Sequence, residues 1–330
     1  MADLDRLWYG QNRPLWYLWP LAYLYRRIAG RRRLARERDA IHDKLPVPVI
    51  VVGNITAGGT GKSPLTAWLV RTLADAGWRP VILSRGYGGK SSAYPLLVDQ
   101  QTPSTESGDE PLMLARQTGF PVVVDPKRLR AARWSLDQDL GDVFVCDDGL
   151  QHYALPRDIE IALIDGQRGL GNRAPLPVGP LREPPERLDS VDFVVLNDPR
   201  EDIAEIYPEA ATLFLAPALV RNLVSGEVRP PQWLAGRAVT AVAGIGNPRR
   251  FFRTLETLGA EVTPRPFPDH HRFTDADLKP ESSEILVMTA KDAVKCEALA
   301  HPDCWVLEIE PQLSPGFDTA LLERLEKLRS

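Results

Sequence analysis

Cysteine and methionine number three each and histidine five in 330 residues. Cys146, Cys296 and Cys304 are odd in number and stand in no paired metal spacing. That argues against a disulfide framework or a zinc ribbon and leaves reduced thiols in a core. An apolar run ending in a small-residue cleavage site is missing, so the chain reads as one without a secretory signal. A basic surplus is missing too: 40 Lys/Arg face 44 Asp/Glu, a net charge of −4. With no aromatic-basic interleaving of the kind that suggests RNA or DNA recognition, this argues against general nucleic-acid binding. No internal repeat is evident.

What remains is ordinary for a globular protein, with 44% hydrophobic and 25% charged residues. A chain of 330 residues exceeds the ~250–300 residues at which single cores stop growing, which predicts two domains. Charge and aromatics are uneven along it. Residues 1–46 hold ten Lys/Arg and five Asp/Glu, so net +5, leaving −9 for the rest. Trp8, Trp16, Trp19, Tyr9, Tyr17, Tyr23 and Tyr25 also fall there, and residues 15–25 run into Arg26-Arg27 and Arg31-Arg32-Arg33. The stretch is too short to span a bilayer, and Pro14 and Pro20 interrupt it. Aromatic rings beside arginines suit the lipid headgroup zone. The other reading is a helix packed on its own domain with a solvated basic end.

Residues 46–64, PVPVIVVGNITAGGTGKSP, organise the rest. An apolar, β-branched run over 47–52 predicts a buried central strand. A glycine-rich turn follows, and Gly61-Lys62-Ser63 opens a helical pattern. Strand, glycine turn and helix make a phosphate cradle: backbone N–H groups and the helix N-terminus face one anion, and Lys62 adds a point charge. Ser63 places a hydroxyl where a nucleotide-bound Mg²⁺ needs one. The usual P-loop pattern asks for glycine at the position of Thr56, whereas Gly58, Gly59, Gly61, Lys62 and Ser63 fit it.

Short apolar runs at 80–84, 121–124, 143–146, 159–164, 191–196 and 212–215 alternate with helical patterns. The predicted fold is α/β: a P-loop-type, doubly wound, mostly parallel sheet with a second, smaller α/β domain. The predicted organisation is an N-terminal membrane-contacting helical segment over 1–45, a P-loop nucleotide-binding domain over 46–215, a proline-rich connector over 216–234 and a smaller α/β domain over 235–330. The closing helix, 318–328, is free to pack on the first domain.

Asp147 and Asp148 directly follow a strand, the arrangement of a Walker B carboxylate that holds Mg²⁺ or its waters; the alternative is a turn with solvated acids. Asp109-Glu110-Pro111 reads either as a capped helix start or as the carboxylate a kinase needs to accept the proton of its attacking hydroxyl. His270 and His271 lie beside Asp269 and between Phe267 and Phe273, like a site held by packing. Arg182-Glu183 is either a surface pair of little value or part of the phosphate and metal shell. Lys127, Arg128 and Arg130 are a solvated helix face or a receptor for an anionic substrate.

Together these pieces resemble the tetraacyldisaccharide 4′-kinase family of Gram-negative lipid A synthesis. The resemblance rests on GNITAGGTGKSP (53–64), SRGYGG (84–89), GDEPLML (108–114), DDGLQH (147–152), RDIEIALIDGQRGLGN (157–172), LPVGPLREP (176–184), GIGNPRRFF (244–252), FPDHH (267–271) and MTAKDAVK (288–295), in the family's order. It implies two α/β domains with a nucleotide cleft between them, on the cytoplasmic face of the inner membrane as a peripheral or monotopic enzyme. It implies transfer of the ATP γ-phosphate to the 4′-hydroxyl of a tetraacylated glucosamine disaccharide 1-phosphate, with Mg²⁺ and no obligate protein partner. By motif, Thr56, Ala57, Gly58, Gly59, Thr60, Gly61, Lys62 and Ser63 form the ATP loop. Asp109 matches the catalytic aspartate and His270 its dyad partner, with Lys62 stabilising the transferred phosphoryl. Asp147, Asp148 and Glu183 match acids around Mg²⁺ and the phosphates, and Arg128, with Asp148, a substrate contact. Ser63 stands where Thr is commoner, Arg173 replaces a usual Gly and Ala290 a usual Glu. A rival reading is a membrane-associated P-loop ATPase switch without a phosphate acceptor, but such proteins carry lysine where Ala57 stands. A nucleotide-dependent metallochaperone would need Cys/His ligands that are lacking.

Overall fold

The computed structural model describes residues 2–10, 16–40, 43–279 and 285–328. The chain divides into two compact units, Met1–Arg85 with Phe120–Phe214 and Gln312–Ser330, and Gly86–Gly119 with Leu215–Pro311.

The first unit is built on a parallel sheet. Its order is Ala211–Asn222 (by residues 211–213), Phe193–Asn197, Ile159–Asp165, Val49–Gly53, Val143–Cys146, Pro80–Ser84 and Val122–Val124. Val49, Ile50, Val51 and Val52 are buried on both faces, as a central strand between covering helices requires. The chain runs outward from this strand on one side, returns beside it at Val143–Cys146, and then continues on the other side from Ile159. The reversal puts a ligand-binding crevice at the C-terminal end of Val49–Gly53, where the glycine-rich turn begins. Phe144, Leu150, Leu155, Ile55 and Leu83 fill the core beneath it. The helix Phe317–Glu326 closes this unit, Phe317 lying 5.7 Å from the Trp68 ring and 5.4 Å from that of Phe193.

The N-terminal segment belongs to this unit. Helix Ala2–Tyr9 is followed by a 3₁₀ turn, Trp16–Leu18, and helix Trp19–Ala40. Pro20, read in the sequence as an interruption, is the second residue of that helix, where its missing N–H costs nothing. Pro14 and Leu15 lie outside the described residues. Ala22 and Leu18 pack on Ala174 and Val178.

The second unit carries parallel strands in the order Glu261–Pro266, Ala238–Ala243, Ile285–Thr289 and Cys304–Leu313. Helix Pro248–Thr257 begins at Asn247-Pro248 and stops before Gly259 (φ 84), as the start and stop residues predict. Residues 86–119, placed in the first domain on sequence, cluster with this unit because helix Asp109–Thr118 packs on helix Ala290–Cys296. The 216–234 stretch is not a plain connector either. Strand Ala211–Asn222 runs through Pro217 and pairs back with Val228–Arg229 in antiparallel register, and a 3₁₀ turn, Pro231–Leu234, follows. A proline removes only one donor, so it weakens the strand signal without ending the strand.

All three cysteines are free and buried, and burial pushes each thiol up, so they serve as small core residues. Truncating Phe144, fully buried beneath the glycine turn, is expected to destabilise the first unit by about 3–5 kcal/mol. Denaturant unfolding of Phe144→Ala checks this; a midpoint within error of wild type contradicts the packing described.

Candidate functional site

The turn after Val49–Gly53 is a backbone cradle held from outside. Gly58 and Gly61 take φ 116 and 95, the left-handed region that favours glycine. A Cβ at Gly61 would strike Asn197 Nδ2, which instead donates to Thr60 O at 2.7 Å. Asn54, buried, donates to Thr60 Oγ1 at 3.2 Å and Gly58 O at 3.4 Å. Ala57 N donates to Pro180 O at 2.8 Å, and Thr56 bridges to Leu181. Helix Lys62–Asp75 then starts with no side chain capping its first turn. Orphan amides at a helix start, with a lysine beside them, make an anion site.

The acids lie against this cradle. Asp147, buried at the end of Val143–Cys146, accepts from Thr66 Oγ1 of the P-loop helix at 3.0 Å. Asp148 turns the other way, at φ 46, and its Oδ1 sits 3.4 Å from Lys62 Nζ and 3.8 Å from Arg182. That oxygen is shielded from solvent yet accepts no hydrogen bond. Burial works to raise the Asp148 pKa, but Lys62, Arg182 and Arg128 outweigh it and hold the carboxyl below its ordinary range. Arg128, buried, donates to Asp148 O at 3.2 Å and lies 3.5 Å from His152 Nδ1. Lys127 and Arg130 turn instead to Asp125, which accepts from the Lys127 amide and pairs with the Arg130 guanidinium.

Glu183 is occupied on both oxygens. Gln151 donates to Oε1 at 2.6 Å, the Tyr153 hydroxyl donates to Oε2, and Arg187 lies 3.4 Å away. Burial first, then the Glu183 charge, push the Tyr153 phenol well up, so it stays a donor. Gln151 also donates to Asn54 O at 2.8 Å, tying this knot to the cradle. The N-terminal segment reaches the same place: Tyr25 OH donates to Arg182 O at 3.3 Å, Tyr9 OH to Ala57 O at 3.4 Å, and Trp8 Nε1 to Pro177 O at 3.1 Å.

Asp109 and His270 fall in the second unit, 161 residues apart in sequence, and His270 Nδ1 lies 3.2 Å from Asp109 Oδ2. Asp109 opens helix Asp109–Thr118 behind Gly108 (φ 86), where a Cβ would press on Tyr87 O at 2.6 Å. Only glycine lets the loop bearing Tyr87 come that close, and the Tyr87 ring sits 5.0 Å from that of His270. His270 itself takes φ 61, its amide donating to Asp269 Oδ1 at 3.1 Å. A non-glycine residue there persists only when its surroundings over-determine it. His271 is structural: it stacks on Phe267 at 4.5 Å and lies 3.2 Å from Asp277 Oδ2.

The structure therefore gathers the sequence-predicted residues in two groups. Thr56 to Ser63, Asp147, Asp148, Glu183 and Arg128 lie in the first unit, Asp109 and His270 in the second. Among the described residues no cluster of three or more His, Cys, Asp or Glu side chains is arranged to hold a metal by itself. Sequence reasoning missed Asn197, Thr66, Gln151 and Tyr153. Of these only Asn197 left a sign, a polar residue ending an apolar run.

A family model described as Tetraacyldisaccharide-1-P 4′-kinase matches residues 14–326. The chain belongs to this family. Among curated relatives, a tetraacyldisaccharide 4′-kinase of Pseudomonas aeruginosa is 47% identical over 336 residues, covering 99% of both chains. One of Dechloromonas aromatica is 47% identical over 328 residues, covering 98% of this chain and 97% of that one. A solved structure, the LpxK of Aquifex aeolicus in complex with ATP, superposes with a TM-score of 0.77 at 31% identity, covering 94% of this chain and 98% of that one. The family membership bears out the kinship read from the motifs.

The low Asp148 pKa carries a sign. Its charge contributes stability fully above the ordinary carboxylate value of ~3.9, and the contribution is lost as pH falls through the lower folded value. Asp148→Asn is therefore expected to lose stability relative to wild type at pH 6 and to show a smaller difference at the acid end. Thermal melts across that range check it; a gap that widens on acidification contradicts it.

Proposed function

We propose that the chain phosphorylates the 4′-hydroxyl of a tetraacylated glucosamine disaccharide 1-phosphate at the expense of ATP. The observation that carries the reading is the Asp109–His270 pair at 3.2 Å. A nucleotide switch needs a phosphate loop alone, whereas a kinase also needs a base for its acceptor. Asp109 takes the 4′-OH proton, and His270 orients that carboxylate. The amides of residues 56–61 and the Lys62 ammonium stabilise charge gathering on the transferred phosphoryl. Arg128 and Asp148 meet the acceptor's polar groups.

Mg²⁺ fits the donor set. Ser63 offers a hydroxyl, Asp147 a carboxylate, and Asp148 a shielded oxygen that faces the Lys62 and Arg182 cations. These few groups suit an ion that keeps waters and phosphate oxygens among its ligands. Ser63, Asp147 and Asp148 would hold the ion, which would supply positive charge to offset that of the nucleotide's phosphates. Glu183, with both oxygens engaged, acts on this shell by fixing Gln151 and the Arg182 loop.

The acceptor's acyl chains stay in the bilayer, so the enzyme works at its surface, on the cytoplasmic face of the inner membrane as a peripheral protein without an obligate protein partner. Among the described residues no helix is long and apolar enough to cross a membrane. Trp16, Tyr17, Trp19, Leu21, Tyr23, Leu24 and Ile28 are nonetheless exposed, Trp16 at 81%. Arg26, Arg27 and Arg31 stand exposed beside them. That combination fits the headgroup zone.

Asp109→Ala is expected to lower turnover about 10²–10⁴-fold while ATP affinity is kept. Steady-state kinetics with a tetraacyl disaccharide 1-phosphate in mixed micelles checks this, and near-normal turnover removes Asp109 as base. Replacing Arg26, Arg27 and Arg31 with Gln is expected to weaken binding to anionic vesicles by about 1 kcal/mol per arginine, roughly 100-fold in all. Vesicle co-sedimentation with and without phosphatidylglycerol reads it. Unchanged partition contradicts the surface assigned here.

A further inference from the structure

Asp109 and His270 come from separate segments, 161 residues apart: the start of helix Asp109–Thr118 and a loop after strand Glu261–Pro266. Something must hold the two in register, because His270 sits on a left-handed backbone and its loop has no regular structure of its own. One side chain touches the neighbours of both. Lys291 Nζ donates to Glu110 Oε1 at 2.9 Å and to Asp269 Oδ1 at 3.1 Å. Glu110 is the residue after Asp109, and Asp269 the residue before His270.

We propose that Lys291 is a positioning residue that staples the catalytic aspartate to its histidine, an assignment that rests on the kinase reading above. The ammonium is well placed for it. Its side chain is largely buried, and its helix, Ala290–Cys296, is itself anchored. Thr289 caps that helix by accepting from the Asp292 amide, and the buried Asp292 carboxylate accepts from Gly244 N at 3.0 Å and Thr289 Oγ1 at 2.7 Å. Burial works against the Lys291 charge, but Glu110 and Asp269 outweigh it and raise the pKa, so the ammonium is permanent at neutral pH.

The chain of contacts continues to the imidazole. The Asp269 oxygen that Lys291 holds is the one that accepts from the His270 amide at 3.1 Å, and it lies 3.9 Å from His270 Nε2. Removing the ammonium leaves the Glu110 and Asp269 carboxylates without the charge that bridges them, and their repulsion drives the helix start and the histidine loop apart. A displacement near 1 Å at reacting groups is enough for about a 100-fold loss of rate. An isolated exposed ion pair would contribute little; this one differs in bridging two carboxylates from a largely buried position.

The test is steady-state kinetics of Lys291→Met, Lys291→Arg and Glu110→Gln with ATP and a tetraacyl disaccharide 1-phosphate, beside thermal melts. Lys291→Met is expected to lower kcat about 10–100-fold with KM for ATP within twofold of wild type. Lys291→Arg should recover to within about fivefold of wild type, since it keeps the charge and spans both carboxylates. Glu110→Gln, which keeps the fold and half the staple, should fall between. A Lys291→Met turnover within threefold of wild type overturns the proposal. So does an arginine variant as slow as the methionine one, or a loss of kcat that only tracks the fraction unfolded. Wild-type protein that transfers no phosphate overturns the kinase reading itself, and the staple with it.

Discussion

A loop of glycines has no side chains with which to hold its own shape, and an anion site made of backbone amides is only as good as its rigidity. Residues 54–61 answer this by borrowing order from their neighbours. Asn197 from the strand Phe193–Asn197 fixes the Thr60 carbonyl, Asn54 fixes Gly58 and Thr60, and Pro180 takes the Ala57 amide. The switch in strand order beneath the loop brings these groups to one edge of the sheet. The acids follow from the same constraint. Asp147 is tied to Thr66 on the loop's own helix, and Asp148 faces the Lys62 ammonium. The shape of the cradle and the placing of its acids depend on that bracing.

The bracing also reaches the N-terminal segment. Tyr9 donates to Ala57 inside the loop, and Tyr25 to Arg182 at its border. One face of the segment is thus held on the protein through Ala22, Leu18 and Trp8, while its tryptophans and tyrosines at 16, 17, 19 and 23 stay exposed. This division bears on the two readings that composition left open: one side of the stretch packs on the protein, and the exposed aromatic side is the one proposed to meet the membrane.

How much was legible beforehand follows from how local each signal is. The cradle, the strand-end acids and the helix at Asp109 are written in a few consecutive residues, so strand and cap patterns reveal them. Asn197, Thr66 and Lys291 act across 137, 81 and 181 residues, through contacts that exist only once the units have folded. Their sequence neighbourhoods mark at most an unusual residue, as at Asn197, and never the partner it meets. The same reasoning covers the non-contiguous second unit: residues 86–119 join it through the packing of one helix on another, which no boundary composition marks. Prolines misled at Pro20 and Pro217 because a breaker in isolation is tolerated at a helix start or within one strand.

The central claim is that the phosphate loop serves transfer and not hydrolysis. The most direct measurement follows ADP release and label incorporation together, using γ-labelled ATP and the purified chain with and without a tetraacyl disaccharide 1-phosphate. One labelled phosphate on the lipid for each ADP, with ADP release near background when the acceptor is withheld, is the predicted result. ATP consumed at the same rate without acceptor, its label appearing as free phosphate, would contradict the account.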